Sequence, residues 1–210
     1  MISERTLKEI FWLPRLQKEP LQWMMENDTV LQGPNLLWLE FGVWKGGSIN
    51  YISYFTEQQV YGFDSFQGLP EDWRTNFNKG TFDLGGELPR VSENVELIPG
   101  WFSDTLPEFL QKHKQKQISF VHLDADLYSS TKFVLSSIAL HLCNDAVLVF
   151  DELINYEGFD GNNGELRAWD EFIDEWEVDY SWIGGYGDFG NFETCNEKAA
   201  VRIHSVRPKV

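Results

Sequence analysis

The sequence predicts an α/β fold, a doubly wound, mostly parallel sheet of seven strands with an antiparallel hairpin at one edge and short helices ahead of it. Three observations point there. Short continuous apolar runs recur along the 210 residues, as expected of strands buried on both faces. Stretches with helical spacing alternate with those runs, the pattern of a parallel sheet covered on both sides. Finally, Glu40, Asp64, Asp124 and Asp151 sit at, or one step inside, the ends of four of the runs. In an open parallel sheet, ligands bind at those carboxyl ends.

Taken in order, residues 1–32 form an N-terminal helical segment. Leu7, Ile10 and Phe11, then Leu21, Trp23, Met24 and Met25, keep helical spacing, and Pro14 and Pro20 split it. Leu36–Phe41 is the first strand, followed by the turn Gly42-Val-Trp-Lys-Gly-Gly47, after which Ser48 opens a helix to Phe55. Val60–Phe63 is the second strand and ends at Asp64. Residues 66–93 are rich in Gly, Pro and polar residues without a period, and a loop that long reads as an active-site loop. Val95–Ile98 is a strand, Leu106–Lys114 a helix, Ile118–Leu123 a strand, Thr131–Leu142 a helix and Ala146–Phe150 a strand. An acidic amphipathic helix spans Glu165–Trp176, and 180–184 and 199–204 make the closing hairpin. The whole of 1–210 reads as one Rossmann-like domain.

Apolar residues make up 42% of the chain, enough for a full core. The formal charge of -16 repels nucleic-acid phosphates and anionic lipid, so the expected partner is a small molecule, with neither nucleic acid nor membrane. No apolar run reaches membrane-spanning length. Cys143 and Cys195 are the only cysteines, too few and too far apart for a disulfide framework or a zinc site. The chain is expected to be cytoplasmic, with a homo-oligomer left open.

Candidate chemistry gathers at three places. Around Glu40-Phe-Gly42-Val-Trp-Lys-Gly46-Gly47-Ser48, the glycines allow a tight strand-to-helix turn and close approach of a ligand to the backbone. The dinucleotide fingerprint G-x-G-x-x-G is absent, which argues against a nicotinamide enzyme. An acid before the turn suits a ligand carrying both an ammonium and a carboxylate, such as the methionine end of S-adenosylmethionine. Asp64 follows Gly42 at the distance where this kind of fold receives ribose hydroxyls. The third place is His122-Leu-Asp124-Ala-Asp126 with Asp151-Glu152. Crowded carboxylates repel one another unless a cation lies between them, and an all-oxygen set favours Mg²⁺. Asp126 alternatively caps the next helix, and His122 reads as a hydrogen-bonded structural residue.

The segments LEFGVWKGGS (39–48), YGFDSFQGLPEDW (61–73), LIPGWFSDTLPEFL (97–110), HLDADLYSST (122–131) and FDE (150–152) resemble class I S-adenosylmethionine methyltransferases. More narrowly they resemble the macrocin, mycinamicin and novobiocin-type sugar O-methyltransferases. The resemblance implies cofactor binding by Glu40, Gly42, Gly46, Gly47, Ser48, Asp64, Ser65, Gly100, Trp101, Phe102 and Asp124. It also implies metal ligation by Asp124, Asp151 and Glu152, although relatives usually carry Asp where this chain has Glu152. The family's proposed histidine base has no counterpart, because no histidine lies between Asp64 and His113. Asp124 and Asp126 are therefore the catalytic candidates, acting on the hydroxyl of a small acceptor, a sugar or another natural product. Two other readings stay open: a metal-dependent nucleotide-sugar glycosyltransferase using Asp124-Ala-Asp126, and a non-catalytic cofactor-binding module.

Overall fold

The computed structural model describes residues 1–27, 30–154, 156–157, 159, 163–186 and 197–209. Cys195 lies outside them. The strands are β1 (Arg15–Leu16), β2 (Leu36–Phe41), β3 (Val60–Asp64), β4 (Val95–Pro99), β5 (Gln117–Leu123), β6 (Leu142–Phe150), β7 (Trp176–Tyr186) and β8 (Ala199–Pro208). They form one sheet in the order β1-β7-β8-β6-β5-β2-β3-β4. β2 pairs in parallel with β3 and β5, β3 with β4, and β5 with β6. Only β8 runs against its neighbours, β6 and β7. The chain order reverses between β2 and β5, which places the switch point of the sheet there.

The helices are α1 (Glu4–Phe11), α2 (Pro20–Asn27), α3 (Gly47–Ser53), α4 (Phe102–Lys112), α5 (Tyr128–Ile138) and α6 (Gly164–Glu175). Strand alternation sorts them onto two faces. Leu37, Leu39 and Phe41 of β2 pack in one core with Leu106 of α4, Val134 of α5 and Trp169 of α6. Trp38, between them in sequence, packs in the other with Met24 of α2 and Ile52 of α3. The strands read as continuous apolar runs because both of their faces are covered.

Three details depart from the expectation. The sheet has eight strands among the described residues, not seven. Pro14 and Pro20 interrupt the helical segment, and the intervening Arg15–Leu16 pairs in parallel with Gly185 and Tyr186, so the hairpin β7–β8 lies one strand inside the edge. Helix α5 ends at Ile138, and after a single 3₁₀ turn (Ala139–His141) β6 begins at Leu142, four residues early. The run Ile138-Ala-Leu-His-Leu-Cys143 carries apolar residues that suit either period, and spacing alone does not separate them. Finally, β7 extends to eleven residues, its alternating burial matching a sheet half exposed to solvent.

Candidate active site

The sheet's hydrogen bonding continues past the strand ends and draws the predicted residues together. Gly42 N–H donates to Phe63 O (2.9 Å), Asp124 N–H to Phe41 O (2.9 Å), Gly100 N–H to Asp64 O (2.9 Å) and Asp151 N–H to Leu123 O (2.8 Å). Gly42 has a φ of 91°, and a Cβ there would overlap the Asp124 carbonyl group. Only glycine lets the tip of β2 lie this close to the tip of β5. Asp64 holds the turn from the other side: its Oδ2 accepts from Val43 N–H (2.8 Å) and Trp44 N–H (2.7 Å), and its Oδ1 from Phe66 N–H (2.7 Å).

Above these tips lies a cleft of about 570 Å³. Gly42, Asp64, Ser65, Gly100, Trp101, Phe102, Asp124, Asp126 and Glu152 line it. Its walls are strongly apolar, from Trp44, Trp73, Phe82 and Phe133. Residues 66–93 supply much of one wall, folded back on themselves by the bridge between Gln67 and Asp83.

Four of the residues predicted to bind a cofactor do not line the cleft. Glu40 is fully buried and accepts from the Ser48 hydroxyl and from His122 Nδ1 (3.0 Å). Ser48 is thereby spent on tying α3 to β2. Gly46 stands in the left-handed region at the start of α3, and Gly47 is its first residue; neither lines the cleft.

Asp126 does not cap the following helix: Leu127 holds that position, and α5 has no side-chain cap. Asp126 is instead 8% exposed with a φ of 59° and faces the cleft. Asp124, Asp126 and Glu152 each offer one carboxylate oxygen, all within 4.8 Å of one another. Burial, reinforced by Asp151, holds the Asp124 carboxyl well above its ordinary range. Burial likewise raises Asp126 to about 7, with Arg74 pulling the other way. Glu152 is held well above its range by burial and then by Asp124. Behind it the fully buried Glu165, raised to about 8 by burial, accepts from Glu152 N–H (3.1 Å).

Asp151, expected in the trio, is engaged elsewhere. Its Oδ1 lies 2.9 Å from Lys198 Nζ and 3.4 Å from His122 Nε2. Burial opposes its charge, but His122 and Lys198 prevail and hold it ionised far into acid. His122 is opposed by burial too, yet Asp151 and Glu40 on either side lift it to about 10. The 3.4 Å contact leaves Nε2 without a well-formed hydrogen bond, so Glu40 is the firmer partner.

Residues 39–153, more than half of the chain, match a family described as a methyltransferase domain. This chain belongs to that family. The methyltransferase domain is similar to the 8-demethyl-8-(2,3-dimethoxy-alpha-L-rhamnosyl)-tetracenomycin-C 4'-O-methyltransferase of Streptomyces olivaceus. The two are 28% identical over 138 residues, 54% of this chain and 51% of that protein. It is also 26% identical to the demethyldecarbamoylnovobiocin O-methyltransferase of Streptomyces niveus, over 161 residues, 65% of this chain and 60% of that one. The alignments span about half to three-fifths of those relatives. Among solved structures, the calicheamicin methyltransferase CalS11 superposes with a TM-score of 0.60 at 22% identity, covering 86% of this chain and 74% of that one. The O-methyltransferase NovP gives 0.55 at 20%, covering 89% and 76%. At such identities the shared property is the fold.

Several residues in the methyltransferase domain's cleft or behind its acids escaped the sequence. Arg74, in the irregular loop, is the one Lys or Arg among the residues that line it. Lys198 immediately precedes the last strand, far from every motif. Glu165 lies within the predicted acidic helix, but helical spacing alone does not reveal which carboxylate turns inward.

Proposed function

We propose that this chain transfers the methyl group of S-adenosylmethionine to a hydroxyl of a small molecule, a sugar or another natural product, in the cytoplasm. The observation that carries the reading is one cleft at the switch point, where the Gly42 turn and Asp64 meet the acidic trio. Family membership supports the donor, and the O-methyltransferase names of the relatives support the acceptor atom.

Asp64 and the Gly42 turn present the ribose side of the donor site, with Ser65 beside them and Trp101 and Phe102 flanking the adenine. The transfer is an in-line displacement, so the protein's main work is to hold acceptor oxygen, methyl and sulfur in line and to exclude water. The aromatic walls and the 66–93 loop do the excluding. Asp124 and Asp126 are placed to take the hydroxyl proton on a carboxylate oxygen, and an acid raised to about 7 is well matched to that task near neutral pH.

The trio fits a divalent cation. Its donors are all hard oxygens, Glu152 Oε2 is buried without a partner among the described residues, and burial and mutual crowding raise the pKa of all three acids. Asp124, Asp126 and Glu152 would hold Mg²⁺, while Asp151 stays with Lys198. When bound, the ion would supply a lowered hydroxyl pKa. S-adenosylhomocysteine binding by calorimetry, and its release with a panel of hydroxyl acceptors in Mg²⁺ and in EDTA, test both parts. Release that survives excess EDTA removes the metal; donor binding without release across the panel favours a non-catalytic module.

A further inference from the structure

The reading above leaves one group in the cleft without a role. Arg74 carries five N–H donors. Among the described residues none makes a hydrogen bond, and Nε is buried without a partner. Its nearest counter-charge is Glu197, with Nη1 3.7 Å from Oε1, an ion pair too long for a hydrogen bond. The guanidinium is nevertheless held firmly. It lies 3.9 Å from the Trp73 ring centroid and 4.8 Å from that of Phe77, and its side chain is only 15% exposed. Aromatic stacking fixes the plane of the fork, and among the described residues nothing hydrogen-bonds its edge. A buried, preoriented fork with no hydrogen bond costs stability unless something pairs with it. In a cleft otherwise lined by four acids, Asp64, Asp124, Asp126 and Glu152, a lone cation also sets where a negative group is tolerated.

We propose that Arg74 receives an oxyanion on the methyl acceptor, so that the acceptors are hydroxyl compounds bearing a carboxylate or a phosphate. The inference rests on the methyltransferase reading and narrows its acceptor class. Planar, bidentate capture of a carboxylate or phosphate is what a guanidinium does better than any other side chain. The aromatic floor under it suits an acceptor that presents a flat or ring-shaped body beside its charge.

The test uses matched probes on protein saturated with S-adenosylhomocysteine and Mg²⁺. Protocatechuate against its amide, and glucose phosphate against methyl glucoside, differ mainly in the anion. Calorimetry on the wild type is expected to favour the anionic member of at least one pair by about 10- to 100-fold, as a charge-assisted bond would. Which pair responds separates carboxylate from phosphate. Arg74→Met should abolish the preference, and Arg74→Lys, which keeps charge but loses the fork, should lose most of it. Both variants should bind S-adenosylhomocysteine as the wild type does, and that affinity also reports that they fold. Equal binding within both pairs, no anion binding, or a preference surviving in Arg74→Met overturns the proposal. So does a loss of S-adenosylhomocysteine affinity in folded Arg74→Lys, which would assign the arginine to the donor's carboxylate. Failure of the wild type to bind S-adenosylhomocysteine would refute the methyltransferase reading itself, and this inference with it.

Discussion

Gly42→Ala isolates the contact on which the cleft depends. An added methyl would overlap the Asp124 carbonyl oxygen and lie 2.8 Å from its carbon, where carbon atoms prefer about 3.5–4.0 Å. The φ of 91° adds left-handed strain of about 1–2 kcal/mol for a residue with a Cβ. Relieving the overlap costs about 1–3 kcal/mol more, because backbone and not a pliable side chain must move. Together they predict a loss of roughly 2–5 kcal/mol, or about 4–20 °C in Tm for a chain of this size. Moving the tip of β5 off β2 also displaces Asp124, so S-adenosylhomocysteine affinity should fall with stability. Gly47→Ala is the control: nothing lies within 4 Å of its added Cβ, and it opens a helix, so it should be neutral or slightly stabilising. Urea unfolding and calorimetry read both variants. A Gly42→Ala protein within about 0.5 kcal/mol of wild type, with unaltered affinity, would show the reasoning about strand tips to be wrong.

Other substitutions probe the charges. Asp64→Ala removes the acceptor of three backbone N–H groups and, on the proposed reading, the acid that binds ribose, so titration should show at least a tenfold loss of cofactor affinity, about 1.4 kcal/mol, and a lower Tm. Glu152→Gln relieves like-charge crowding, so in EDTA its Tm should equal or exceed that of wild type, while stabilisation by Mg²⁺ disappears. The metal-free protein should also respond to pH in a defined direction. Asp126 and Glu165 have folded pKa values raised to about 7 and about 8, above their unfolded values, so the native state binds more protons than the unfolded one. Stability is then greatest in mild acid and falls as pH rises from about 5 to about 8, and Mg²⁺ should flatten the slope in a thermal-shift series. A flat profile in EDTA would contradict the burial argued for these acids.

The strands of the parallel core were legible because burial on both faces writes itself as unbroken apolar runs, as in Leu36–Phe41 and Ile118–Leu123. Position at the ends of such runs pointed to Asp64 and Asp124, and the family resemblance to Gly100, all of which line the cleft. Side-chain partners were harder to read. Glu40 has the right position for a ligand, yet Ser48 and His122 claim it, and such pairings depend on which face of the sheet a residue occupies. Asp126 reads from sequence both as a catalytic candidate and as a helix cap, because Asp before a helix is commonly a cap; the φ of 59° that turns it into the cleft has no sequence signature. The two-residue β1 was invisible because a strand so short has no period to detect.

That small strand has a consequence for how the molecule is made. Residues 15–16 pair with 185–186, Ser3 and Thr6 bond to Asp170, and Glu9 accepts from Tyr180 and Trp182. This helical segment thus docks on elements that lie some 170 residues further along the chain. Its docking is therefore a long-range event that waits on α6 and β7, and is not set by local folding.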